Sequence, residues 1–188
     1  PSPEPVATPV EKGADYVITD ADRLGEGGPK QKYRDNLAAI RLLKQIENEG
    51  RPATPDEQAV LSRYVGWGGM PQPFAPANIA REWQGVRAEL EAALTPEEFA
   101  SARASTPNAH YTTPLVVEAV WRAAERLGLE PGSTVLEPAL GAGYFFGLMP
   151  ETLLPGSHRT GIELDSVTGR LAKLLYPQAA VYVQGFET

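Results

Sequence analysis

The chain has 188 residues, no cysteine, two histidines and a formal charge of −7, a length that suits one domain of ordinary size or one domain with an appendage. Without cysteine there is no disulfide framework or cysteine zinc site, His110 and His158 are far apart in sequence, and no globally basic surface advertises nucleic acid, although a local patch stays open. No apolar run approaches the roughly 18 residues of a membrane span and no export signal is visible, so the expectation is a cytoplasmic protein with no membrane partner and no metal.

Residues 1–29 are rich in proline, glycine and acid and lack apolar periodicity, and Gly25-Glu26-Gly27-Gly28-Pro29 closes them. They read as a flexible tail or linker. Tyr33, Leu37, Ile40, Leu43 and Ile46 then recur at three- and four-residue steps, which predicts an amphipathic helix over 30–49 stopped at Gly50. Its other face carries Lys30, Lys32, Arg34, Arg41 and Lys44, but Asp35 and Glu47 are interleaved, so a solvated face is a simpler reading than a phosphate-binding one. Thr54-Pro55-Asp56-Glu57 is a capping box with proline at the first helical position, and it starts a helix to about residue 64. Thr95-Pro96-Glu97-Glu98 repeats the device after a further helix over 82–94. The intervening stretch 64–74 is a glycine and aromatic turn in which Trp67 reads as a packed ring. Residues 30–104 are thus expected to form a helical N-terminal region.

After Ser105 the pattern changes. Thr113-Pro114 caps a helix to residue 127 with an apolar stripe of Val116, Val117, Val120, Trp121, Ala124 and Leu127. Strand then alternates with helix: strand over 134–137, the start of a helix over 144–149, strand over 160–164, helix over 166–175 and strand over 180–183. Alternation of this kind predicts an α/β, Rossmann-like parallel sheet with helices on both faces, in which ligands bind outside the carboxyl ends of the strands.

Two of those strand ends are acidic. Val135-Leu136-Glu137-Pro138-Ala139-Leu140-Gly141-Ala142-Gly143 is a strand that stops at a carboxylate and opens into a glycine turn, and Glu163 follows 20 residues after the turn, where such sheets place the acid that accepts from ribose hydroxyls. Gly141 and Gly143 are expected to bring backbone within contact of a ligand. A dinucleotide site would use G-x-G-x-x-G to set a helix N-terminus against pyrophosphate. Here Tyr144, Phe145 and Phe146 follow Gly143, so an aromatic wall replaces the phosphate cradle. With Glu137 suited to a sulfonium and an ammonium group, S-adenosylmethionine is the expected cofactor. Asp165 reads as the cap of the next helix, and His110 as a turn histidine with ordinary hydrogen bonds.

In order, these residues resemble the motifs of the bacterial N6-adenine DNA methyltransferases over 108–188. Asn108-Ala109-His110-Tyr111-Thr112-Thr113-Pro114 is similar to motif X, which closes over the methionine end of the cofactor. The segment 135–143 is similar to motif I, which adds Pro138 and Ala139 to the expected site. Gly161-Ile162-Glu163-Leu164-Asp165 is similar to motif II, with Glu163 on the ribose and Leu164 beside it, and Gly185-Phe186 occupies the motif III position. There the family commonly has Asp-Phe, the Asp accepting from the adenine amino group and the Phe packing on the ring, so Gly185 departs from the pattern unless Glu187 substitutes. A closer likeness over about 22–188 is to the N-terminal part of very large phage and plasmid proteins that join a methyltransferase-like domain to a superfamily II helicase, the DarB-type antirestriction proteins among them. That likeness implies DNA as partner, through the full-length protein, and a C-terminal helicase domain. The Asn/Asp/Ser-Pro-Pro-aromatic loop of N6-adenine transfer is absent; Met70-Pro71-Gln72-Pro73-Phe74 lacks its polar first residue and adjacent prolines and reads as a structural turn. The expectation is therefore a cofactor-binding portion over 105–188, cut before the catalytic loop, with no catalytic residue of its own.

Overall fold

The computed structural model describes residues 13–76 and 81–188. Helix α1 (Pro29–Glu49) buries Tyr33, Leu37, Ile40, Leu43 and Ile46, the stripe its periodicity sets, and stops where Gly50 turns left-handed at φ 61. Each such side chain, fully buried, contributes about 1.5–3 kcal/mol relative to exposure. Helix α2 (Pro55–Leu61) packs on α1 and opens with the Thr54–Glu57 capping box, in which the Thr54 hydroxyl accepts from the Glu57 amide. Helices α3 (Val86–Ala93) and α4 (Pro96–Ser105) follow, the second capped reciprocally by Thr95 and Glu98. The single helix expected over 82–94 is split: a 3-10 turn at Arg81–Trp83 precedes α3, because Gly85 sits at φ 81, a conformation that interrupts a right-handed helix. The Gln72–Phe74 stretch is likewise a 3-10 turn, and it inserts Phe74 edge-on to Trp67 at 5.2 Å.

Helix α5 (Pro114–Arg126) leads to a parallel sheet of β1 (Thr134–Glu137), β2 (His158–Glu163) and β3 (Ala180–Val183), in the order β1-β2-β3. Glu137 pairs with Gly161 and Glu163 with Val183, so the two acids end adjacent strands on one face. Between the strands lie α6 (Tyr144–Gly147), a single turn, and α7 (Ser166–Leu175). Helix α7 lies against β2 and β3 and also against α1 and α2, so it is the middle layer between sheet and helical region. Gly169 permits its close approach, since a Cβ there would meet Val183 Cγ2 at 2.8 Å.

Three expectations are corrected. The sheet is not covered on both faces: Leu136 and Tyr182, on the face opposite the two acids, are 52% and 51% exposed. In α5 only Val117 and Trp121 of the expected stripe are deeply buried, because the helix meets the aromatic turn along a narrow line, where Trp121 Nε1 donates to the Phe145 carbonyl at 3.0 Å. Of the segment read as a flexible tail, residues 1–12 lie outside the described residues, but residues 13–22 are docked. The Tyr16 and Ile18 amides donate to the Leu175 and Gly147 carbonyls at 2.8 and 2.9 Å, and Asp15 pairs with Arg159 of β2 at 2.5 Å. Backbone hydrogen bonds and one half-buried ion pair hold a segment that has no periodicity to announce it.

Candidate functional site

The strand ends of β1 and β2 open into a cleft of about 420 Å³, within the roughly 300–1,000 Å³ of small-molecule sites. Glu137, Ala139, Gly141, Phe145 and Glu163 form its sheet-side wall, Tyr111 and Thr112 enter from the loop before α5, and Tyr64 and Gly66 close it from the helical region. Larger hollows lie between α1 and α3 and beneath the Gly25–Gly27 loop, but each is walled by mixed charges rather than by converging strand ends.

The two acids are held differently. Glu163 Oε2 accepts the Gly141 amide at 2.7 Å and Oε1 accepts the Asp165 amide at 2.8 Å. Burial pushes its carboxyl above the ordinary value, against those backbone hydrogen bonds, which favour the charged form. Each oxygen retains acceptor capacity for a ligand hydroxyl. Glu137 accepts the Ala139 amide at 3.2 Å and otherwise has no hydrogen-bond partner among the described residues. Asp165, also in the lining, caps α7 through the Thr168 amide at 2.8 Å and accepts from Ser101 Oγ at 2.8 Å. The cleft therefore carries three carboxylates, and none of its lining residues is lysine or arginine. Such a field attracts cationic groups and repels phosphate. Among the described residues no group of three His, Cys, Asp or Glu is arranged to hold a metal ion, and no helix is long and apolar enough to cross a membrane.

Of the two glycines, Gly141 lines the cleft and Gly143 does not. Both take left-handed φ, 56 at Gly141 and 83 at Gly143, but their missing side chains are replaced by the protein's own rings. A Cβ on Gly143 would lie 2.2 Å from Tyr176 Cε2, and one on Gly141 would lie 3.0 Å from Tyr111 Cε1. Gly143 thus serves packing behind the cleft, and Gly141 shares the cleft wall with Tyr111.

Other expected residues divide. Thr113 and Pro114 line a smaller hollow of about 210 Å³ that shares Tyr111, Thr112 and Tyr144 with the cleft. Pro138 is exposed outside the lining, as are Leu164 and Phe186 at 77% and 61%. Where motif III is expected, the Glu187 carboxylate folds back over Gly185, whose Cβ would lie 2.6 Å from Glu187 Oε1. His110 lines the cleft with an ordinary turn contact, its Nε2 3.3 Å from the Pro107 carbonyl. Sequence reasoning missed Tyr64, Gly66 and Thr168. The signal for the first two was the unexplained density of glycine at 66, 68 and 69 beside aromatic residues.

Among curated proteins the chain is similar to "Defense against restriction protein B" of Escherichia phage P1, with 26% identity over 163 residues. The match covers 87% of this chain and 6% of that much longer protein. No family model matches the chain, and no solved structure does.

Proposed function

We propose that this chain binds S-adenosylmethionine as the N-terminal portion of a DNA N6-adenine methyltransferase-like protein that acts in antirestriction. The observation that carries the reading is the cleft: Glu137 and Glu163 meet there across a glycine turn, beside Tyr111 and Thr112, with three carboxylates and no lysine or arginine in the lining. A sulfonium and an ammonium suit Glu137, ribose hydroxyls suit Glu163, and a dinucleotide pyrophosphate would find no counter-charge. The parallel β1-β2-β3 order with acids on one edge supports a Rossmann-like methyltransferase half, and the similarity to the phage P1 protein supports the antirestriction role. DNA is then the partner of the full-length protein in a bacterial cytoplasm, and the helicase stands C-terminal to this portion. When bound, the cofactor supplies an electrophilic methyl group; this chain's residues bind and orient it.

A second reading, a module that keeps the cofactor fold for DNA engagement or assembly without transfer, is favoured by one observation. Gly185 stands where the family's adenine-binding Asp belongs, and Phe186 is 61% exposed rather than packed in the cleft. Calorimetry with S-adenosylmethionine and S-adenosylhomocysteine tests the cofactor reading. Wild type should bind both, and Glu163→Ala should weaken both by about ten- to a hundredfold, the effect of losing one charge-assisted hydrogen bond of about 1.5–3 kcal/mol. No binding by folded wild type ends the proposal. Binding without methylation of DNA by the full-length protein selects the second reading.

A further inference from the structure

The cleft has a wall that does not belong to residues 105–188. Tyr64 and Gly66 reach it from the turn after α2, and that turn is pinned from behind by a residue outside the cleft lining. Asn36, in the middle of α1 and 0% exposed, donates from Nδ2 to the Gly66 carbonyl at 2.6 Å and accepts the Val65 amide on Oδ1 at 2.9 Å. A polar side chain on the core face of an amphipathic helix is costly unless both ends are satisfied, and here both ends are spent on one turn.

The turn in turn sets the opposite wall at backbone contact distance. A Cβ on Gly66 would fall 2.5 Å from Tyr111 Cε2, and one on Gly68 would fall 2.2 Å from the Ala109 carbonyl oxygen. The Gly69 amide also donates to the Thr106 carbonyl at 2.8 Å. Tyr111 is therefore wedged between Gly66 of one region and Gly141 of the other, tilted against Tyr144 at 5.3 Å. Nothing in this contact is a long flexible side chain that could absorb a shift. A displacement of the 64–69 turn passes directly to Tyr111 and to the Gly141 loop that Glu163 holds.

We propose that the ligand cleft is a joint product of the two regions: Tyr64 is part of the binding surface, and Asn36 is the positioning residue that fixes the helical wall. This rests on the cofactor reading above only for the identity of the probe. The helical region is then part of the site, and ligand binding and docking of α1 and α2 are thermodynamically linked.

The test compares wild type and Asn36→Ala with Ile46→Val and Ile46→Ala, which lie on the same helix face with Ile46 0% exposed and bracket the loss of urea midpoint without touching the turn. S-adenosylhomocysteine affinity is read by calorimetry and amide exchange by mass spectrometry. Asn36→Ala should weaken binding by about ten- to a hundredfold and speed exchange over 64–69 and 108–112, because it leaves two buried backbone groups unpaired, each worth about a factor of ten. The Ile46 variants should change affinity by no more than about twofold at equal loss of midpoint, since they leave those hydrogen bonds intact. Wild-type affinity in Asn36→Ala, or exchange at 108–112 no faster than in the matched Ile46 variant, overturns the proposal. If folded wild type binds no S-adenosylhomocysteine, the cofactor reading fails and the exchange comparison alone decides the role of Asn36. Should Asn36→Ala not fold, the near-isosteric Asn36→Leu carries the same expectation, because it fills the buried site without a cavity or a charge and leaves the same two backbone groups unpaired.

Discussion

Removing the Glu98 side chain is expected to uncouple the helical region from α7. Glu98 is 6% exposed and meets three elements: Lys44 of α1 donates to both carboxylate oxygens at 2.7 and 2.6 Å, Arg170 of α7 donates at 2.6 Å, and the Thr95 amide donates at 2.8 Å as half of the α4 capping box. The Thr95 hydroxyl keeps its bond to the residue-98 amide, so losing the Glu98 half of the cap costs at most about 1 kcal/mol. Lys44 and Arg170 are 29% and 30% exposed and can turn partly to water once the acid is gone, so the two ion pairs together are discounted to about 2 kcal/mol. Glu98→Ala should therefore cost up to about 3 kcal/mol near neutral pH, which for a domain of this size lowers Tm by up to about 12 °C.

Burial raises the Glu98 carboxyl, but Lys44, the Thr95 amide and Arg170 outweigh it and leave the folded-state pKa below the ordinary value of 4.5. A depressed carboxylate contributes stability above its unfolded pKa and loses it as pH falls through the folded pKa. Urea unfolding of both proteins, followed by tryptophan fluorescence, should show a gap that is constant from pH 7 to about pH 5 and narrows in more acid solution. A gap under about 1 kcal/mol at pH 7, or one that survives unchanged below the folded pKa, would refute this account of Glu98 as the clasp.

Gly143→Ala should be costly although it adds one methyl group. The position has φ 83, worth about 1–2 kcal/mol against alanine, and the new Cβ would stand 2.2 Å from the buried Tyr176 ring, adding about 1–3 kcal/mol of overpacking. Tyr176→Leu in the same chain should recover the steric part; a Gly143→Ala protein as stable as wild type by urea midpoint sinks the reading. Glu163 has the opposite pH sign to Glu98. Its carboxyl is raised mainly by burial, so its contribution is present below the ordinary carboxylate value and is lost as pH rises through the folded pKa. The wild-type urea midpoint should therefore fall relative to Glu163→Gln as pH rises above 4.5, and a pH-independent difference between the two would count against a buried, raised carboxyl.

Local sequence determined the elements that depend on neighbours in the chain. The strands at 134–137 and 180–183, the helix at 166–175 and both capping boxes are found where periodicity and turn chemistry put them, because a cap or an alternation is a property of four to ten consecutive residues. Glu137 and Glu163 could be placed on one edge from sequence because the ends of adjacent parallel strands must converge. Contacts across long separations were not legible. Nothing in 13–22 announces that Asp15 will pair with Arg159, and nothing around Gly143 says that its neighbour is the Tyr176 ring rather than a ligand. The density of glycine at 66, 68 and 69 signalled close approach without naming what approaches, since a missing Cβ specifies space and only the fold supplies Tyr111 and Ala109 to fill it.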